Sequence, residues 1–253
     1  MPRDITLLHI TDPHLLARPD ATLHGWNVAA AFQRVLNEAV ALYPQADALV
    51  LGGDLVDDES TPGYRWLDAE LGALDCPVLA IAGNHDDPVA MTAHLPSAIV
   101  HDVLEVSGWR LVGLSTHCAG TESGHVGAAG LARLDTELAA DPAPTIICLH
   151  HPPVDVGSPW IDAIGLTDRA ALRATLRRHA HVRGLLCGHV HQAWEGRFDN
   201  RPVWTTPSTM RQFKAHSPEF AEDTDCGPGY RVLRLEAEGA ITTTVHRVTG
   251  AID

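Results

Sequence analysis

Positive charge is scarce in this chain. Lysine and arginine total 18 against 32 aspartates and glutamates, a formal net charge of −14, and Lys214 is the single lysine. Proteins that track nucleic acid or an anionic membrane depend on basic surface, so neither is expected as a general partner. Cysteine chemistry is equally thin. Cys76, Cys118, Cys148, Cys187 and Cys226 are scattered, odd in number and never spaced Cys-x-x-Cys. Neither a disulfide framework nor a zinc finger follows. Cys148 and Cys187 lie inside apolar runs and read as small buried hydrophobes. No apolar run reaches the ~18 residues of a membrane span. The opening residues Met1-Pro2-Arg3-Asp4 do not resemble a signal peptide. Reduced thiols and no targeting segment make the cytoplasm the expected location.

What is present is ample apolar material, 45% of residues, in a regular order. Apolar runs alternate with helical patterns. Ile5–Ile10 reads as a first strand. Asn27 is a plausible N-cap for a helix over Val28–Leu42, with Val28, Ala31, Phe32, Val35, Leu36 and Ala39 on one face. Further strands are expected at 48–51, 77–81, 99–106, 110–114, 145–149 and 182–187. Helices are expected at 62–73, 88–94, 128–139 and, capped by Asp168, to 178. Residues 152–166 and 207–229 read as loops, and the last third is β-rich. The alternation predicts an α/β fold. No composition break divides it, so residues 1–253 are expected to form one domain whose β-richer part begins near 193.

The sixteen histidines matter by placement. Ala82-Gly83-Asn84-His85-Asp86 follows an apolar run. Four other polar clusters do the same: Asp12-Pro13-His14, Gly52-Gly53-Asp54, His150-His151 and Gly188-His189-Val190-His191. Such groups are costly to bury without partners, and each other is the obvious partner. Strand ends are where α/β folds place their sites. The candidate ligands are Asp12, His14, Asp54, Asn84, His150, His189 and His191, all oxygen or imidazole donors. That set suits first-row ions such as Mn, Fe, Zn or Co. Seven donors exceed the needs of one ion and suit two sharing a carboxylate. A pair of ions ~3.5–4 Å apart can activate water and hold a phosphoryl group. In Asp12-x-His14 and His189-x-His191, residues two apart on extended backbone point to one side. Glycine before Asp54, Asn84 and His189 permits close backbone approach at a crowded centre.

These five clusters, in this order, resemble the signatures of calcineurin-like metallophosphoesterases over about residues 5–206. Gly157-Ser158-Pro159-Trp160-Ile161-Asp162, Leu186 to Gln192, Thr206-Pro207-Ser208-Thr209, Gln212-Phe213-Lys214 and Pro228-Gly229-Tyr230-Arg231 are similar to bacterial 3′,5′-cyclic AMP phosphodiesterases (class III). The resemblance implies a four-layer α/β/β/α sandwich and two divalent or mixed-valence ions from Fe, Mn or Zn. One ion would take Asp12, His14, Asp54 and His191, the other Asp54, Asn84, His150 and His189, with Asp54 shared. The implied reaction is in-line attack on a phosphodiester by a hydroxide held between the ions. Asn84 would steady the developing charge, and His85 would be the acid rather than a ligand. The implied substrate is a cyclic nucleotide, 3′,5′-cAMP first. The alternatives are glycerophosphodiesters or other small diesters, an inactive scaffold on the same fold, and a DNA nuclease, which the acidic charge opposes. Relatives are often dimers, which suggests a homodimer. The chain departs from the subfamily at Pro152, Met210, Arg211 and around Ser123-Gly124-His125.

Beside these sit blander expectations. Asp86 and Asp87 read as helix-start or supporting groups, Asp57 and Asp58 as loop surface, and His151 as a support for a ligand. His117 and His125 lie on a loop within reach of substrate. Trp160 either stacks on a nucleobase or pins its loop to the core.

Overall fold

The computed structural model describes residues 3–249. The first two residues of the opening segment lie outside them. In chain order the elements are β1 (Ile5–Ile10), a hairpin of β2 (Thr22–Leu23) and β3 (Trp26–Asn27), α1 (Val28–Leu42), β4 (Ala48–Leu51), α2 (Thr61–Leu71), β5 (Val78–Ala80) and α3 (Pro88–His94). There follow β6 (Ile99–Val100), β7 (Val103–Val106), β8 (Trp109–Gly113), α4 (Gly127–Ala140), β9 (Thr145–Cys148), α5 (Pro159–Asp162), α6 (Arg169–Leu176) and β10 (Val182–Cys187). The last third holds β11 (Glu195–Phe198), β12 (Arg201–Thr205), β13 (Gln212–Phe213), β14 (Glu222–Asp223), β15 (Gly229–Leu235) and β16 (Ile241–Arg247).

Two six-stranded sheets carry the fold, ordered β16-β15-β1-β4-β5-β6 and β11-β12-β10-β9-β8-β7. Strand periodicity makes the layering. In β1, Leu8 and Ile10 face α1, α2 and α3, with Phe32, Val35, Tyr64 and Leu67. Ile5 and Leu7 face the other sheet, meeting Trp109, Leu111, Ile146 and Trp204. The second sheet's outer face packs on α4 and α6 through Leu134, Leu138, Leu172 and Leu176. The order is therefore helices, sheet, sheet, helices, the four-layer α/β fold expected. Asn27 caps α1, its side chain accepting from the Ala30 amide at 3.0 Å.

Three local expectations are corrected. The single strand expected over 99–106 is two strands in different sheets: β6 pairs with β5, and β7 with β8. His101 turns the chain between them with φ of +52°, and its Nε2 accepts the Ala82 amide proton at 2.7 Å. Asp168 stands at the N-cap position of α6, but its side chain makes no capping hydrogen bond there. Its carboxylate accepts from the Val126 and Gly127 amides at the start of α4 instead. The two expected loops contain α5 and the β13–β14 pair respectively.

Candidate metal centre

β1, β4 and β5 run parallel in the first sheet, and β9 and β10 run parallel in the second. Parallel strands deliver their C-terminal ends to one edge, where the loops are free to carry side chains. Asp12 and His14 follow β1, Asp54 follows β4, Asn84 and His85 follow β5, His150 follows β9, and His189 and His191 follow β10. The loops are stitched together by backbone. The Asp12 amide donates to Gly53 O at 3.0 Å, His14 to Asp54 O at 2.9 Å, and Gly188 to His150 O at 3.1 Å. Across the sheets, the His189 amide donates to the Asp12 carboxylate at 3.1 Å.

The structure brings the expected donors together. Asp54 Oδ2 lies 3.3 Å from His150 Nε2 and 3.7 Å from His14 Nε2. Asp12 Oδ1 lies 3.4 Å from His191 Nε2 and 3.9 Å from His150 Nε2. His14 Nε2 and His191 Nε2 are 3.3 Å apart. Asp12, His14 and His191 form one compact group, and Asp12, Asp54 and His150 another. The far ring nitrogens are already engaged: His14 Nδ1 with Asp57 at 2.8 Å, His150 Nδ1 with Gly52 O at 2.7 Å, and His191 Nδ1 with Arg211 O at 2.9 Å. That arrangement fixes the tautomer and presents Nε2 as a basic donor. His189 Nε2 and Asn84 Oδ1 are buried with no hydrogen-bond partner among the described residues, and His150 Nε2 has only the Asp12 and Asp54 carboxylates before it. Buried polar atoms of this kind ask for a ligand, and an oxygen-and-imidazole donor set fits first-row cations.

The loops are both strained and crowded. Asp12, His14, Asp54, His189 and His191 adopt φ of +54°, +48°, +50°, +71° and +49°. L-residues enter that region at a cost of about 1–3 kcal/mol each, and such strain collects at functional sites. A Cβ on Gly83 would overlap the Asp54 carboxylate and its amide, and one on Gly188 would overlap Thr11 and Asp12. Glycine here lets the loops of both sheets close onto one point.

Electrostatics favours a cation. Asp54 stays well below the ordinary carboxylate range: burial pushes it up, but His150 outweighs that. Burial lowers His150, yet Asp54 and Asp12 push it up to about 9. The His85 side chain is 42% exposed, and its Nδ1 lies 3.1 Å from Asp57 Oδ1. Asp57, hydrogen-bonding it, raises His85 to about 9. With Nδ1 engaged, Nε2 is the nitrogen available to the cavity.

Among the neighbours, Asp86, Asp87 and His151 take the supporting places expected of them, whereas Asp57 and His125 do not. Asp57 is no loop-surface residue: it is tied to both His14 and His85. Asp86 supports the loops from beneath, accepting from the Leu55, Val56 and Gly83 amides and the Tyr64 hydroxyl at 2.9–3.0 Å. Asp87 caps α3. His151 bonds Thr116 Oγ1 at 2.7 Å and Glu122 O at 3.0 Å, so neither nitrogen is free. It sits against His189, with ring centroids 4.4 Å apart. His125 instead bonds Thr167 at 3.1 Å. Two cavities meet at Asn84 and His85. One, of about 270 Å³, also holds Trp160, Arg211, Phe213 and Phe220. The other, of about 460 Å³, is lined by His117 and the loop to Glu122.

Comparison with known proteins agrees with this geometry. The model of the calcineurin-like phosphoesterase family matches residues 5–193. The chain is 34% identical to the 3′,5′-cyclic adenosine monophosphate phosphodiesterase CpdA of Escherichia coli K12, over 96% of this chain and 90% of that protein. It is 35% identical to a 3′,5′-cyclic-nucleotide phosphodiesterase of Nostoc, over 96% and 92%. Among solved structures, a dimetal phosphatase from Danio rerio superposes with a TM-score of 0.65 at 17% identity, over 96% of this chain and 99% of that one. Purple acid phosphatase PPD1 of yellow lupin superposes with a TM-score of 0.61 at 12% identity, over 97% and 54%. The architecture is thus shared well beyond recognisable sequence, and the chain belongs to the calcineurin-like phosphoesterase family.

Proposed function

We propose that this chain hydrolyses 3′,5′-cAMP to 5′-AMP at a two-ion centre. The observation that carries the reading is the convergence of seven donors from five loops, with His189 Nε2 and Asn84 Oδ1 buried without a hydrogen-bond partner among the described residues and His150 Nε2 facing the Asp54 carboxylate. Relatives named as cyclic-nucleotide phosphodiesterases, similar over 96% of the chain, support the substrate class. Asp12, His14, Asp54 and His191 would hold one ion, and Asp54, Asn84, His150 and His189 the other. Bound ions drawn from Fe, Mn and Zn would supply a nucleophilic water at neutral pH and neutralise phosphoryl oxygens.

The chain's own groups do the rest. Asn84 commits Oδ1 to the centre, leaving its amide N–H groups to donate to a phosphoryl oxygen. His85 holds its proton on the cavity side and delivers it to the departing ribose 3′ oxygen as the phosphorus–oxygen bond breaks. Asp57 orients both His85 and His14 through one carboxylate oxygen. The complete donor set and His85 count against an inactive scaffold.

A second reading, hydrolysis of glycerophosphodiesters or other acyclic diesters, is favoured by the second cavity beyond Asn84 and His85. An acyclic diester carries two separate substituents, and two cavities offer each a place. Parallel rates on cAMP, 2′,3′-cyclic nucleotides, glycerophosphocholine and a chromogenic diester decide between them. The proposal expects cAMP to lead. Brisk glycerophosphocholine turnover without cAMP turnover would overturn it.

A further inference from the structure

The 270 Å³ cavity has a polar floor of predicted ligands and one wall of another kind, made by Trp160, Phe213 and Phe220 with Arg211 at its side. Trp160 stands edge-on to Phe213 and to Phe220, at centroid distances of 5.0 and 5.3 Å. Phe220 is 51% exposed, one of few large hydrophobics left open on the described surface. The Arg211 guanidinium lies 5.5 Å from the Phe213 ring and 5.4 Å from the Phe220 ring, and Glu222 holds it at 3.2 Å.

This wall is built into the centre. Arg211 O accepts from His191 Nδ1, and Phe213 lies flat on the His191 imidazole, 4.0 Å away at 7°. Arg211, just before β13, and Phe213 within it therefore hold a predicted ligand and tie the aromatic surface to it. An aromatic corner alone could also take a quaternary ammonium group. The Arg211 cation between the rings repels such a group and favours a planar, neutral π-system that stacks on both ring and guanidinium. At about 270 Å³ the cavity falls just below the usual range of ligand pockets, ~300 Å³ upward.

Resting on the proposed reaction, we propose that this wall is the nucleobase subsite, with Phe220 and Arg211 as its specificity-determining residues. The phosphodiester sits over the predicted ligands while the heteroaromatic ring lies against Phe220 and the Arg211 guanidinium. A cationic headgroup is rejected at the same place.

The test is calorimetric binding of 5′-AMP and ribose 5-phosphate to the metal-loaded full chain. The two ligands share phosphate and ribose and differ only in the base. The intact protein is expected to prefer 5′-AMP by about tenfold or more, the range of base–aromatic stacking. In Phe220→Ala, an exposed position whose folding is checked by thermal melt, that preference falls toward one. Phe220→Trp retains it, and Arg211→Gln reduces it. Equal affinities in the intact protein, or a preference that survives Phe220→Ala, would overturn the subsite. The reaction is judged separately by cAMP turnover of the unaltered protein. Turnover without base preference defeats the subsite alone, and base preference without turnover leaves it standing while defeating the reaction.

Discussion

Asn84 and His85 are adjacent, yet their surroundings differ. Asn84 presents a buried oxygen with no hydrogen-bond partner among the described residues, whereas His85 is half open and anchored by Asp57. His85→Ala should slow cAMP hydrolysis by about 10²- to 10⁴-fold, the usual range for a lost general acid. An activated aryl diester needs no proton on its leaving group and should lose far less. Equal losses on both esters would show that His85 is not the acid. Asp57→Asn should cost about 10- to 100-fold, as loss of a ligand's hydrogen-bond partner generally does, with metal affinity falling as well. Unchanged metal affinity in that variant would mean that Asp57 does not orient His14. The convergence of these side chains was legible from residue type and strand-end position. Asp57 was not, because a carboxylate on a loop looks like surface until the fold shows two imidazoles against it.

At the scale of elements, the strands and α1 were readable because their apolar period is strong. The turn at His101 was not. A left-handed histidine leaves no mark in a run of apolar residues, so 99–106 read as one strand. That turn matters because His101 Nε2 holds the Ala82 amide at the head of the Asn84–His85 loop. Burial lowers His101 to about 4 from an ordinary 6.5, with Arg133 and His117 adding to the effect. The folded pKa is depressed, so the unfolded chain binds more protons between the two values. This contribution is whole above pH 6.5 and is lost as pH falls toward 4, by about 3 kcal/mol at most. Chemical denaturation at pH 7 and pH 5 should show the loss in the intact protein and a shallower one in His101→Gln. Identical slopes would remove His101 from the account. Gly83 is the second case at this scale. Gly83→Ala drives a methyl into Asp54, so metal affinity should drop at least tenfold. An unaffected affinity would show that the loops can yield.

For the whole molecule, the two sheets exist to bring five loop tips to one edge, and α/β alternation made that architecture predictable. The exchange of strands between sheets depended on tertiary packing and was not. An overall charge of −14 does not prevent an anionic substrate from binding. Distant charge is screened over about 8–10 Å, while ions in the site act at contact. Removing metal by chelation should abolish diesterase activity and lower the melting temperature. Bound ligand stabilises by ~2.7 kcal/mol at a hundredfold excess over Kd. Manganese should restore both, and an unchanged melting temperature would argue that the strained loops need no ion.

If residues from five loops form one two-ion centre sharing Asp54, the number of ions bound per chain depends on that carboxylate. Native mass spectrometry of the manganese-loaded chain measures that number directly. Two ions per chain are expected in the intact protein and at most one in Asp54→Ala. A single ion in the intact protein, or two retained without Asp54, would contradict the shared centre.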